Sequence, residues 1–392
     1  MNRPLHLILP LLAGFFLPAS HLPARQAPPG RQVYPLPSLP GEKIISAEDS
    51  IKNRRIPELA MEQLNNFPMK TQFSIAIIQN GNTSFLGLLK EKDSIRTIDN
   101  RTAIFEIGSI TKVFTATVLA ALVIEKKLQL EDKINPYYPF QFNQAIQPDL
   151  KSLANHTAGL PRLPSNFAAA RTAPLNPYKN YGSQQLEDYL KNELPLQQPA
   201  GATFEYSNLG AGLLGYTLGL SQKTSFPLLL KKRVLHKYHM QHTYTSALQA
   251  GAPLVKGLNE KGNEVPNWDF DVLFGGGGLL SCSQDLALFA TAQWDTSNKE
   301  LALTRRPTFT VNDRMQMGLG WHIIRTNDNR QLYWHNGGTG GYTSSMAIDI
   351  AAQKGVIILS NVSAFHPQKE RIDQLCFILA RLIAKKTEAV AP

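Results

Sequence analysis

Cysteine is scarce in this chain: 392 residues carry two, Cys282 and Cys376. Such a pair can form a disulfide in an oxidising compartment. Sequence cannot bring their Cα atoms within bridging distance, and two buried free thiols are the expectation. Both lie far beyond the N-terminal apolar run, so no lipid-attachment cysteine follows it. Repeats are missing. The net charge is +10, from 40 Lys+Arg against 30 Asp+Glu, yet no basic stripe interleaved with aromatics and no nucleic-acid motif accompanies it. The basic residues are scattered, apart from small clusters such as Lys231-Lys232-Arg233 and Lys385-Lys386. Nucleic acid is therefore excluded as a partner, and loose association with an anionic envelope surface is what the charge favours. No carboxylate cluster joins His236, His239 and His242, so their spacing by three is not read as a metal site. No Gly-Lys-Ser/Thr follows the glycine stretch at 337–341, which excludes a phosphate loop.

What remains is ordinary globular material, 43% apolar and 18% charged. Its length suffices for one large domain or two medium ones. Arg3, the apolar run Leu5 to Leu17, and the small residues Ala19 and Ser20 read as a secretory signal over residues 1–20. The run is short for a membrane span, and an uncleaved anchor is the alternative. A secreted or periplasmic protein is the expectation. Residues 21–44 are rich in Pro and Gly and read as a linker. Residues 46–66 suit an amphipathic helix. Gln72 to Gln79 and Thr83 to Gly87 read as strands around the turn signal Asn80-Gly81. Helices and long Pro-containing loops fill the middle, with Ser281-Cys282-Ser283-Gln284 reading as a capping box. Strand patterns return at Gly318 to Arg325, Gln331 to His335, Ser344 to Ile350 and Val356 to Ser360, before a helix over 367–386. One α/β (α+β) domain over 45–392 is the economical assembly: a sheet from both chain ends (about 45–104 and 305–392) with a mostly helical region (about 105–304) inserted.

Ser109 and Lys112 form a Ser-x-x-Lys where a helix should begin, since Val113, Phe114, Thr117, Val118, Ala121 and Leu122 follow at helical spacing. Positions i and i+3 share a helix face, so hydroxyl and amine can meet. Serine is a weak nucleophile and needs a base beside it. The alternative is an N-cap serine with a solvated lysine. Tyr206-Ser207-Asn208 offers a phenol that can shuttle protons, if a neighbouring positive charge lowers its pKa, and an amide that can orient a lysine. Tyr178-Lys179-Asn180 has the same short pattern, so the tripeptide alone decides little. His335-Asn336-Gly337-Gly338 follows the strand Leu332-Tyr333-Trp334. Glycines there let a substrate approach strand backbone, whose N–H groups can hold an oxyanion. The alternative is a plain glycine-rich hairpin.

Together these segments resemble the serine β-lactamase and penicillin-binding-protein superfamily, in its class C-related branch, where the second motif is Tyr-Ser-Asn. Phe105 to Lys112, Leu153 to Pro161, Gly277 to Ser281, and Leu209-Gly210 with Leu213 to Gly215 look similar too. The resemblance covers about residues 45–385. It implies a β-lactamase/transpeptidase-like fold, with an antiparallel sheet flanked by helices. It implies that Ser109 is the acylated nucleophile at a helix N-terminus and that Lys112 is its general base. For that role the amine must lose about three pKa units, about 4 kcal/mol. Tyr206 would relay a proton. Asn208 would orient Lys112 and the substrate amide. The N–H groups of Ser109 and Gly338 would hold the oxyanion, with His335, Asn336 and Gly337 lining the substrate. His335 stands where class C β-lactamases have lysine, a cation that helps fix the substrate carboxylate; an unperturbed histidine is mostly neutral at pH 7. His156 would brace the loop beside the site. The resemblance implies no cofactor, no metal and a monomer. The expected substrate is a small molecule or peptide with a scissile amide, a β-lactam or D-amino-acid peptide. A carboxylesterase or peptidase of the same family, and a non-catalytic penicillin- or envelope-binding protein, are the alternatives.

Overall fold

Val356-Ile357-Ile358-Leu359 is an unbroken apolar run, and a strand of that kind has both faces covered. In the computed structural model, which describes residues 42–44 and 55–384 apart from 80, 93, 171–172, 196–198 and 252, it lies inside a ten-stranded sheet. The strand order is Glu42–Ile44, Asn82–Glu91, Gln72–Gln79, Lys354–Ser360, Thr343–Asp349, Gln331–Gly338, His322–Arg325, Met315–Met317, Phe309–Asn312, with Ser94–Ile98 also paired to Asn82–Glu91. Every pair is antiparallel except that of Glu42–Ile44 with Asn82–Glu91. Val356 and Ile358 point to one face, where they pack with Ile75, Ile77 and Trp334 beneath the helices Arg55–Leu64 and Glu370–Ala384. Ile357 and Leu359 point to the other, with Met346, Ile348 and the helix Thr111–Ile124. That period-two split is ordinary strand geometry. Burying each such side chain contributes about 1.5–3 kcal/mol.

The helix Thr111–Ile124 is buried at every position from Thr111 to Leu122. A helix covered all round must be mostly apolar or small, and this one is apart from Lys112 in its first turn. It lies between the sheet and the inserted helices, including Asn208–Ser221, and the turn Gly108–Ile110 that leads into it packs against the strand Gln331–Gly338.

The described residues all belong to one compact unit. Sheet segments from both ends and a helical middle agree with the sequence reading, with some corrections. Residues 42–44 are a strand and not linker. Ser94–Ile98, Phe309–Asn312 and Met315–Met317 are strands that alternate partly exposed polar and apolar residues, so their pattern is weak. Only His322–Arg325 of the expected strand at 318–325 is extended. The helix Ser283–Ala292 is capped by Cys282, whose sulfur accepts the Asp285 N–H at 3.4 Å. Ser283 bonds Ser74 of the sheet instead, at 2.8 Å. The expected signal segment, most of the expected linker and the turn residue Asn80 lie outside the described residues.

Both cysteines are free and buried. Burial pushes the Cys282 thiol well above its usual range and Cys376 up to about 12. A thiol must ionise to react. Ellman's reagent is therefore expected to find no reactive thiol in the native protein and two after unfolding in denaturant. Rapid native labelling would contradict the burial of both.

Candidate active site

Ser109 occupies a short 3-10 turn, Gly108–Ile110, immediately before the helix Thr111–Ile124. The helix is capped at Ile110 without any side-chain bond, so the serine hydroxyl is not a cap. It is half-buried and meets Lys112 Nζ at 2.9 Å. The spacing of three delivered that contact, as the sequence suggested.

Lys112 is 2% exposed. Its Nζ also lies 2.8 Å from Asn208 Oδ1 and 2.6 Å from the carbonyl oxygen of Gly276. Those two partners are pure acceptors, whereas a serine hydroxyl can donate or accept. A neutral amine donating to Asn208 and Gly276 thus keeps its lone pair for the Ser109 proton. Burial, and then the charge of Arg162, hold the Lys112 pKa well below the ordinary lysine range. This is the direction a general base requires.

Ser207 explains how the second motif is built. Its Oγ accepts the Gly210 N–H at 2.8 Å, capping the helix Asn208–Ser221, and donates to the Pro161 carbonyl at 2.6 Å. Tyr206 therefore stands just outside a helix start and Asn208 just inside it. Lys112 Nζ sits 4.8 Å from the centre of the Tyr206 ring. Burial pushes the Tyr206 phenol up to about 12, against a hydrogen bond with Ser109 and the charge of Arg162, which both lower it. The sequence reading had the neighbouring charge lowering this pKa; burial wins, and Tyr206 rests as a proton-bearing phenol. Asn208 Nδ2 donates to Tyr178 Oη at 3.3 Å. The look-alike Tyr178 is thus itself part of the site wall, stacked on Phe270 with ring centres 4.2 Å apart.

The third segment needs two corrections. His335 is fully buried, between His322 and Tyr206 at ring-centre distances of 5.0 and 6.4 Å. Its Nδ1 faces the Asn336 carbonyl oxygen at 2.6 Å and so carries the proton. Burial, then repulsion from any positive charge on His322 or Lys112, keeps its pKa well below the usual histidine range. A cation for a substrate carboxylate is not available from this side chain. Strand alternation turns Asn336 to the opposite face, where its Nδ2 donates to Asp373 Oδ2 of the C-terminal helix at 2.7 Å. Asn336 ties strand to helix and does not line the substrate.

Gly337 and Gly338 run beside the turn that carries Ser109. A Cβ on Gly337 would overlap the Ile107 carbonyl oxygen and stand 2.8 Å from the Ser109 nitrogen. One on Gly108, which has φ +50°, would stand 2.5 Å from the Gly338 nitrogen. Only glycine lets these two backbones run so close, with Gly108 in the left-handed region. The Ser344 hydroxyl adds a bond to the Ile107 carbonyl at 2.9 Å. His156 does brace the loop: its Nδ1 accepts the Ser207 N–H at 3.2 Å, its carbonyl accepts the Glu205 N–H at 2.8 Å, and its ring lies 4.5 Å from that of Tyr206.

Sequence reasoning missed the Gly276 carbonyl, Arg162, His322 and the wall of Tyr178, Trp268 and Phe270. The glycine run at 275–278 was the one available sign of a backbone passing close to the site.

Glu106, three residues before Ser109, is buried at 4% exposure and accepts from Asn267 Nδ2 at 2.7 Å and the Trp268 N–H at 2.8 Å. Burial raises its pKa to about 7, partly offset by bonds from Thr339, Asn267 and the Trp268 N–H. The folded chain then holds a proton that the unfolded chain has released between about pH 4.5 and pH 7. Stability from this group is complete below pH 4.5 and falls as pH rises through 7, by at most about 3 kcal/mol. Melting curves of wild type and Glu106→Gln are expected to diverge across that window, the variant gaining relative to wild type with rising pH. Parallel curves would contradict this.

The family model described as Beta-lactamase matches residues 71–377 of the chain. A beta-lactamase of Pseudomonas fluorescens is 25% identical over 368 residues, which cover 84% of this chain and 98% of that protein. Among solved structures, a class C beta-lactamase in complex with cefoxitin aligns with a TM-score of 0.71 at 21% identity, over 86% of this chain and 99% of that one. A beta-lactamase/D-alanine carboxypeptidase from Pseudomonas syringae aligns with a TM-score of 0.69 at 21% identity, over 86% and 98% of the two chains.

Proposed function

The chain belongs to the beta-lactamase family of serine hydrolases, and from that premise we propose that it cleaves an amide through an acyl-enzyme on Ser109. The observation that carries this reading is the Lys112 amine, 2.9 Å from the Ser109 hydroxyl and otherwise bonded to two fixed acceptors. Ser109 Oγ attacks the scissile carbonyl carbon as its proton passes to Lys112 Nζ. The N–H groups of Ser109 and Gly338 take the developing oxyanion, a contribution of about 3–4 kcal/mol where single donors have been removed from such sites. The carbon–nitrogen bond breaks as the leaving nitrogen takes the Tyr206 phenol proton, and Lys112 returns its proton to Tyr206. Water then attacks the ester carbonyl, a base of the Lys112–Tyr206 pair takes its proton, and Ser109 leaves reprotonated. In the resting state Lys112 is the base and Tyr206 the acid, because burial lowers one pKa and raises the other. A β-lactam or a D-amino-acid peptide is the amide.

The neutral, buried His335 favours a second reading, an ester substrate with little β-lactamase activity, since the family's cation at that position is missing. The test is mass spectrometry of the protein after a fluorophosphonate and, separately, after penicillin. The proposal expects added mass at Ser109 from both. Fluorophosphonate labelling and ester turnover with no penicillin adduct would select the ester reading; labelling by neither would remove both. The N-terminal signal pattern supports export. Expression from the full chain should then yield a periplasmic or extracellular product shortened by about 20 residues.

A further inference from the structure

Tyr206 is ringed by basic side chains: Lys112 at 4.8 Å from its ring centre, His156 at 4.5 Å, His322 and His335 both at 6.4 Å, and Arg162 at 5.3 Å. Lys112 and the three histidines are buried. Arg162 is the exposed member. A guanidinium keeps its charge and presents a planar fork of donors that matches a carboxylate. The backbone fixes where it stands. The Arg162 carbonyl accepts the N–H groups of Asn208 and Leu209 at 3.0 and 3.1 Å, and Ser207 Oγ bonds the preceding Pro161 carbonyl at 2.6 Å. The arginine is thus stapled to the helix start that carries Tyr206 and Asn208. Among the described residues, no carboxylate pairs with its side chain.

We propose that Arg162 reads a negative charge on the substrate, holding a carboxylate of the departing half beside Tyr206, at a site whose strand histidine carries no charge. This deepens the acyl-transfer reading and rests on it. β-Lactams and D-amino-acid peptides both carry such a carboxylate on the leaving side, and Arg162 is the residue that reads it. The leaving-group side follows from Tyr206, which faces the departing atom in the proposed reaction. The same charge acts on the chemistry, since Arg162 lowers the proton affinity of both Lys112 and Tyr206.

The test compares kcat/KM for 3-acetoxybenzoate and phenyl acetate, which differ in a leaving-group carboxylate. Wild type is expected to prefer the anionic ester. In Arg162→Ala the preference ratio should fall about ten- to hundredfold, chiefly through KM for the anionic ester, because a charged bidentate contact is lost. Arg162→Lys should keep part of it. Raising salt from 0.05 to 0.5 M should erode the wild-type ratio and leave that of Arg162→Ala nearly flat. A ratio unchanged in Arg162→Ala, or equal losses on both esters, would overturn the assignment while leaving acyl transfer intact. Hydrolysis of neither ester, with no fluorophosphonate mass at Ser109, would instead overturn the underlying reading and the assignment with it.

Discussion

Ser109→Ala is expected to lower turnover of any amide or ester substrate at least a thousandfold and to abolish added mass after fluorophosphonate treatment. The size follows from the role: removing a nucleophile that acts as a unit with its base removes the covalent route, leaving oxyanion stabilisation and binding. The fold should not suffer. Replacing a true N-cap serine costs about 1 kcal/mol, but the helix after Ser109 is capped at Ile110 without a side-chain bond. The Ser109 hydroxyl serves Lys112 and Tyr206, and neither contact supports the core. Circular dichroism and the melting temperature should match wild type. Retained turnover in a folded variant would take Ser109 out of the mechanism.

Lys112→Arg should lower the acylation rate by about a hundred- to ten-thousandfold, the span typical for loss of a positioned general base. Arginine keeps the positive charge but cannot give up a proton near neutral pH. The substitution therefore separates the two things Lys112 could contribute. If charge alone mattered, arginine would retain much of the rate. If the lone pair matters, the rate collapses, and pre-steady-state acylation will show the loss directly. The variant also places a permanent charge in a pocket that burial and Arg162 already make hostile to one. Lys112→Met, neutral and unbranched, is the companion that tests whether the loss is chemical or structural. It should be equally inactive yet keep the native circular dichroism spectrum.

Much of the site was legible because its parts are local. Ser109 and Lys112 meet because helical geometry puts i and i+3 together. The inner strands were legible because both their faces are buried, which writes a continuous apolar run such as Val356 to Leu359. The hairpin Phe309–Asn312 with Met315–Met317 was not, since its residues are mostly half-exposed and mixed. Tyr206 and Tyr178 head identical short patterns. What separates them is Ser207, which caps a long helix. The fate of His335 was illegible. Its burial comes from His322 and Tyr206, contributed by other segments, and no local pattern encodes it. The Gly276 carbonyl is backbone, and any residue type supplies one. Arg162 follows a recognisable Gly159-Leu160-Pro161, but its place over Tyr206 depends on the Ser207 cap reaching Pro161.

The central claim is that Lys112 rests as a neutral amine poised to take the Ser109 proton. Its folded-state pKa then lies below that of the unfolded chain, which binds more protons between the two values, so this group makes stability rise with pH across that window. The direct measurement is NMR titration of the Lys112 side chain, by its Cε and Nζ resonances, in the free protein with Lys112→Met as the assignment control. The account expects a midpoint well below 10.5, and acylation of Ser109 rising along the same curve. A midpoint at or above 10.5, with acylation already complete at lower pH, would contradict it.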